Sequence, residues 1–176
     1  MKLTLATDRL LIRNFTSEDW KYVHEYTSNP MVMQYMPSGT LNKEQTIELV
    51  NQHVNEDAEK FAVILKEEAA LIGHIEFFKY FGDHTYEIGW VLNPSYCNQG
   101  LASEAAAAFL RYAFIELKIH RIVATCQPEN IPSYRVMEKI GMRREGLFKQ
   151  CIPHGDIWWD EYYYALLREE YLQNDS

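Results

Sequence analysis

Apolar positions along the chain alternate between a period of two and a period near 3.6, the patterns of strand and helix. Leu10-Leu11-Ile12-Arg13 reads as a short strand. Thr16-Ser17-Glu18-Asp19 then caps a helix to about Ser28, with acids in the first turn where the dipole favours them. Asn29-Pro30 stops it, and residues 31–40 form a loop rich in Met and Tyr. Asn42 with Gln45 three on is a capping-box pattern for a second helix ending near Asp57. Strands follow at Phe61–Lys66, Leu71–Phe81 and Thr85–Leu92, joined by short turns as an antiparallel meander. Gly100 opens a helix to about Lys118, with Leu101, Ala105, Ala108, Phe109, Tyr112, Ala113 and Leu117 on its apolar stripe. Arg121–Thr125 is a strand, Ile131–Ile140 a helix closed by Gly141, and Arg144–Ile152 and Trp158–Leu166 are the last two strands. Strand 85–92, helix 100–118 and strand 121–125 make a βαβ crossover, so those two strands are expected to be parallel neighbours. The fold class is α/β (α+β): a mixed, mostly antiparallel sheet flanked by helices.

The length, 176 residues, fits one domain, 1–176, able to bury a core without disulfides or metal. Seventeen Lys+Arg against 25 Asp+Glu give a net charge of -8. That balance repels a phosphate backbone, so nucleic acid is not an expected partner. It weakly favours a cationic substrate such as an amine. Cys97, Cys126 and Cys151 are odd in number and lack metal or redox spacing, which reads as reduced thiols in a cytoplasmic protein; Cys126 and Cys151 are expected to be buried. The opening residues reach Asp8 before a long apolar stretch forms, unlike a signal peptide, and no apolar run is long enough to span a membrane.

Much chemistry is absent. No two glycines stand two apart, there is no phosphate-loop or zinc-protease motif and no G-x-S-x-G, and the six histidines do not pair at ligand spacing. No metal site is expected. What stands out is the junction Glu87-Ile88-Gly89-Trp90-Val91-Leu92-Asn93-Pro94, then Gln99-Gly100-Leu101-Ala102-Ser103. A strand ends and small residues open a helix, whose free amides can receive an anion; an ordinary helix start is the plainer reading. A second block, Asn130-Ile131-Pro132-Ser133, starts another helix after a strand parallel to the first. Both starts then lie at the carboxyl edge of the sheet, where ligands usually bind.

Taken together these blocks resemble the GCN5-related N-acetyltransferases, and within them the ribosomal-protein (RimJ/RimL-type) branch. The ordered set is Glu-Ile-Gly-Trp at 87–90, Gln-Gly-Leu-Ala-Ser-Glu-Ala at 99–105, His120-Arg121-Ile122, Asn130-x-x-Ser133 with Glu-Lys-Ile-Gly-Met at 138–142, and Gly155-x-x-Trp158-x-Asp160 with Tyr164-x-Leu166-Leu167-Arg168. Each motif alone is weak; the order is specific and covers the chain from Thr7 to Leu167. The resemblance implies acetyl-CoA as donor and a splayed parallel strand pair at its site. It implies the pyrophosphate on the amides of Asn98, Gln99, Gly100, Leu101, Ala102 and Ser103, pantetheine along Val91 and Leu92, and contacts from Asn130, Ser133 and Arg135. Cys97 stands where the family loop carries Gln or Arg, which leaves the amide cradle but no side-chain role there.

By its place in the strand, Glu87 matches the family's general base. Chemically an ammonium cannot attack a thioester, so a carboxylate that takes its proton, directly or through water, is needed; the plainer reading is a sheet-edge carboxylate. Glu76 and His74 are reserve candidates. Ser133 matches the acid toward the departing thiolate, or else a helix-cap hydroxyl. Arg135 and Lys139, four apart, share a helix face and could meet the 3′-phosphate, or be solvated charges. The aromatic C-terminal strand suggests a homodimer. The expected activity is acetyl transfer to a primary amine, a protein N-terminus by the branch resemblance. A polyamine or aminoglycoside acceptor is the alternative within enzymes. A non-catalytic acyl-CoA sensor, needing neither Glu87 nor Ser133, is the alternative outside them.

Overall fold

The computed structural model describes residues 3–174. Its strands are β1 (Thr4–Ala6), β2 (Leu10–Asn14), β3 (Lys60–Leu65), β4 (Ala70–Phe81), β5 (Thr85–Leu92), β6 (Arg121–Cys126), β7 (Arg143–His154) and β8 (Ile157–Leu167). Its helices are α1 (Trp20–Thr27), α2 (Pro30–Met33), α3 (Lys43–Gln52), α4 (Leu101–Arg111), α5 (Ile131–Lys139) and α6 (Arg168–Asn174). The strands form one mixed sheet in the order β1-β2-β3-β4-β5-β6-β8-β7. β5 and β6 are its parallel pair, as the βαβ reading required. No helix among the described residues is long and apolar enough to cross a membrane.

Two compact units divide the chain, residues 1–77 with 90–109 and residues 78–89 with 110–176. In the first, α1 and α3 bury Val23, Tyr26 and Val50 with Phe15, Met33, Ala62, Leu71 and Val91. The α3 cap is the expected reciprocal pair: Gln45 N–H donates to Asn42 Oδ1 and Asn42 N–H to Gln45 Oε1, each at 2.9 Å. The helix ends at Gln52 rather than near Asp57. His53 turns its N–H back to Val50 O, and Asn55 Oδ1 takes the Asp57 amide, so a side-chain turn replaces the helical ladder. Part of the expected loop is the short α2, for which Asn29 supplies the cap and Pro30 the preset first residue. Gly73 lets β4 approach β5 closely, since a Cβ there would lie 2.3 Å from the Val91 carbonyl oxygen.

The second unit holds the ladder β5–β6–β8–β7, with Thr125 opposite Tyr163 and Cys126 opposite Tyr162. The expected helix to Lys118 is α-helical only to Arg111. Tyr112–Glu116 is a π-helical turn, with Leu117 N–H reaching Tyr112 O. The α6 helix was not expected. Its start is fixed by Glu170, whose carboxylate accepts the Leu167 amide, and by Arg168 N–H donating to His120 O. Of the two cysteines expected inside, Cys126 is buried, whereas Cys151 is exposed on the irregular stretch of β7 between Phe148 and Ile152.

The first unit also buries a polar chain. Tyr26 O–H donates to His74 Nδ1 at 2.8 Å, His74 Nε2–H donates to Glu76 Oε1 at 3.3 Å, and Lys60 pairs with Glu76. Burial holds His74 neutral, below its ordinary range, which fixes this tautomer. Burial works to raise Glu76, but the His74 hydrogen bond and the Lys60 charge outweigh it and bring its carboxyl down to about 2. Burial, then the charge of Lys60, lowers His53 from 6.5 to about 4. Between those two values the unfolded chain holds the extra proton at His53, so acidification favours unfolding there. Below 4.5 the same holds for Glu76, down to about 2. Circular dichroism against denaturant is expected to give falling stability from pH 6.5 downward. In Glu76→Gln the fall below pH 4.5 should flatten while the upper part remains. Equal slopes below that pH would remove Glu76 from this account.

Candidate active site

The helix start of α4 lies in the first unit and is built by backbone geometry. Asn98 (φ 61°) and Gly100 (φ 76°) both take left-handed conformations, turning the chain sharply into the helix. The first helical bond runs from Glu104 N–H to Gly100 O at 3.0 Å. The amides of Leu101, Ala102 and Ser103 precede it and have no helical acceptor, the condition under which a helix N-terminus takes an anion. Arg9 holds this turn in place: Nη1 donates to Gln99 O at 3.0 Å and Nε to Glu104 Oε2 at 2.6 Å. Thr7 Oγ1 also donates to Glu104, at 2.5 Å. Burial pushes Glu104 up, but the bonds from Thr7 and Arg9 win and keep it ionised below its usual range. A carboxylate beside an anion cradle is thus neutralised locally. Upstream on β5, Val91 is buried, and Asn93 N–H closes the strand end on Ile72 O at 2.8 Å.

In the second unit the parallel ladder pairs Thr85, Tyr86 and Glu87 with Arg121, Ile122 and Val123, three of the eight residues of β5. Glu87 is its last rung. Half-buried, it accepts a hydrogen bond from Thr125 Oγ1 at 2.9 Å. Across β6 from it stands Glu161 on β8, and burial pushes its carboxyl up. After β6, Asn130 caps α5 without a side-chain cap bond. Ser133 lies half-buried in the first turn of α5, its amide donating to Asn130 O at 3.1 Å. Arg135 is exposed, pairs with Glu138 at 3.1 Å and lies over the Tyr134 ring.

A profile described as "Acetyltransferase (GNAT) domain" matches residues 9–143. An uncharacterized N-acetyltransferase of Bacillus subtilis (strain 168), YnaD, is 63% identical over 167 residues, covering 95% of this chain and 98% of its own. This chain belongs to the GNAT acetyltransferase family. A crystal structure of a GNAT-family acetyltransferase from Bacillus anthracis is 63% identical with a TM-score of 0.92, covering 96% of this chain and all (100%) of that one. A likeness in fold extends to a spermidine N-acetyltransferase from Vibrio cholerae solved with CoA and spermine, at TM-score 0.82 and 23% identity, covering 94% and 99%.

GNAT enzymes take acetyl from acetyl-CoA, and this N-acetyltransferase has backbone suited to that donor: free amides at 101–103 and no side chain at Gly100 to crowd them. Among the described residues, no group of three or more His, Cys, Asp or Glu could hold a metal ion. None of the three thiols is activated. Burial raises Cys97, Cys126 to about 11, and Cys151, so each is a neutral thiol at physiological pH. An acetyl group therefore has no thiolate of the protein to rest on. The reserve bases named from sequence are withdrawn into the first unit's interior: His74 is 2% exposed with both ring nitrogens bonded.

The structure keeps the sequence-derived residues in two groups: Val91, Leu92 and 98–103 in the first unit, and Glu87, Asn130, Ser133 and Arg135 in the second. Arg9, Glu104 and Thr125 were not picked out as site residues. Glu104 had a signal, an acid four residues past Gly100 that needs a counter-charge.

Proposed function

We propose that this enzyme moves acetyl directly from acetyl-CoA to a primary amine, with Glu87 as general base and Ser133 as hydrogen-bond donor to the departing thiolate. The observation that carries the reading is the placement of Glu87 at the last paired rung of β5, oriented by Thr125. A carboxylate so held takes the proton of the acceptor's ammonium, directly or through a water, and frees the nitrogen lone pair for the thioester carbon. The amides of Asn98–Ser103 hold the donor's pyrophosphate, and the main chain at Val91 and Leu92 pairs with its pantetheine arm. Ser133 stands in the first turn of α5, after the parallel strand β6. A thiolate is a strong hydrogen-bond acceptor, so the hydroxyl donates to it as it forms. Asn130 contacts the cofactor, and Arg135 meets its 3′-phosphate from the exposed face of α5. The whole chain, 1–176, is proposed as a single catalytic domain of the cytoplasm.

For the acceptor, the RimJ/RimL-type motif set favours a peptide N-terminus. A second reading, a polyamine, draws on the spermine held by the Vibrio cholerae neighbour and on the net charge of -8. Thiol release with acetyl-CoA and a panel of N-terminal peptides, polyamines and aminoglycosides tests both. Release with peptides alone selects the first, release with polyamines alone the second, and binding without release with any amine would make the chain a sensor. Calorimetry should give the same acetyl-CoA affinity with and without chelator, because the cradle is backbone; loss of binding on chelation would contradict it.

The β7–β8 hairpin leaves Phe148, Ile157 and Trp158 exposed, Trp158 by 57%. We propose that a second copy covers this apolar area, giving a homodimer. Light scattering at micromolar concentration should report twice the chain mass, and a monomer would count against the assignment.

A further inference from the structure

The turn into α4 is fixed from two sides. The helical bond from Glu104 N–H to Gly100 O sets the peptide that joins Gly100 to Leu101. The peptide before it, joining Gln99 to Gly100, lies outside the helical ladder. Its carbonyl is held instead by Arg9, whose Nη1 donates to Gln99 O at 3.0 Å. In a planar trans peptide the C=O and the N–H point opposite ways. Holding Gln99 O therefore sets the direction of Gly100 N–H. The same guanidinium pairs with Glu104, Nε and Nη2 each lying 2.6 Å from Oε2. Glu104 Oε1 takes the Arg9 amide at 3.1 Å and the Thr7 hydroxyl at 2.5 Å. Two groups besides the guanidinium thus anchor this carboxylate. It belongs to the residue after Ser103, the last of the free amides, ~1.5 Å further along the helix axis. An uncompensated negative charge there would oppose a phosphate at those amides.

We propose that Arg9 is a positioning residue for the donor: its guanidinium aims the Gly100 amide through Gln99 O and cancels the Glu104 charge beside the amides that receive the pyrophosphate. This rests on the reading of residues 98–103 as the pyrophosphate site. A planar guanidinium suits the part, because one rigid fork reaches Gln99 O and the Glu104 carboxylate together; a lysine ammonium keeps the charge without the fork. The Arg9 side chain is 48% exposed, so as an ion pair alone it adds little to stability, and its worth lies in what it holds. The neighbouring cation does not replace it. Lys66 is bonded through Nζ to the Thr7 carbonyl, and its amide donates to Arg9 O at 2.9 Å, which fixes the turn that carries Arg9. Cys97, at the head of the loop, brings no charge. The cation at this turn comes instead from the β1–β2 connection, 90 positions away from Gln99 in sequence.

The test is calorimetry with CoA and with dephospho-CoA, which keeps the pyrophosphate and lacks the 3′-phosphate. It compares the wild type with Arg9→Met, Arg9→Lys, Glu104→Gln and the double variant Arg9→Met/Glu104→Gln, each beside a thermal melt. Arg9→Met should bind both ligands roughly tenfold to a hundredfold less tightly, the worth of one hydrogen bond to a charged group. Glu104→Gln keeps the hold on Gln99 O and removes the negative charge, so it should bind at least as tightly as the wild type. The double variant should bind about twofold to fivefold more tightly than Arg9→Met, the worth of one exposed charge interaction. Arg9→Lys should bind severalfold less tightly than the wild type, and this variant decides if Arg9→Met does not fold. Wild-type affinity in Arg9→Met overturns the assignment. So does an equal loss in Glu104→Gln with no recovery in the double variant, which would make the pair a structural brace. A loss seen with CoA and absent with dephospho-CoA also overturns it, since Arg9 would then meet the 3′-phosphate directly. Unchanged affinity in Gly100→Val would instead overturn the reading of the pyrophosphate site, and is scored separately.

Discussion

Replacing Glu87 with glutamine is expected to lower turnover by roughly 10²–10⁴-fold, the usual contribution of a sole general base. Glutamine keeps the side-chain length and can still accept from the Thr125 hydroxyl through its amide oxygen, the contact Glu87 makes at 2.9 Å. What it loses is the capacity to hold the acceptor's proton near neutral pH. Acetyl-CoA affinity should scarcely change, because the cradle amides at 101–103 belong to a different stretch of backbone. The acid limb of kcat/KM should also disappear if it reports Glu87. Turnover against pH with a parallel binding titration separates the outcomes. Full turnover with the wild-type acid limb would mean that an already neutral amine attacks without Glu87. Loss of binding in proportion to rate would make Glu87 part of the donor site instead. Ser133→Ala should cost less than Glu87→Gln, since CoA thiolate is a fair leaving group without help.

The strands were legible because a residue facing a core every second position leaves little freedom of assignment. β5 matches residue for residue, and β4 and β6 to within one. The parallel β5–β6 pair followed from chirality rather than composition. Short elements escaped. β1 has three residues at the sheet edge, too few to display a period, and α2 has four residues begun by Asn29 and Pro30, which also read as a stop. The overlong helix at 100–118 has a different cause: its apolar stripe persists through the π-turn at 112–116, where only the hydrogen-bond partner changes. At the site, the backbone cradle was visible because Gly100 marks a conformation. The groups that orient side chains were not. Arg9 reaches Glu104 across 95 positions of sequence and Thr125 reaches Glu87 across 38. Such contacts are made by tertiary pairing and leave no local pattern.

Gly100→Val is expected to weaken acetyl-CoA binding by roughly 10²–10⁴-fold, the worth of losing about two hydrogen bonds to a charged group. Two effects act together. At φ 76° a valine collides with its own backbone, and a β-branched residue there costs on the order of 1–3 kcal/mol. The chain relieves this by rotating toward negative φ, which swings the amides of Leu101 and Ala102 away from a common point. The branched side chain also stands beside the amides that a phosphate must approach. Arg9 cannot compensate, since it holds Gln99 O and Glu104 rather than the amides themselves. The helix itself survives, because Leu101, Ala105 and Phe109 remain buried, with Phe109 against Phe61 and Phe77. Calorimetry with acetyl-CoA, beside a thermal melt of the variant, measures both parts. A folded variant with unchanged affinity would place the pyrophosphate elsewhere. Saturating acetyl-CoA should restore most of the turnover, because Glu87 and Thr125 lie outside the altered turn.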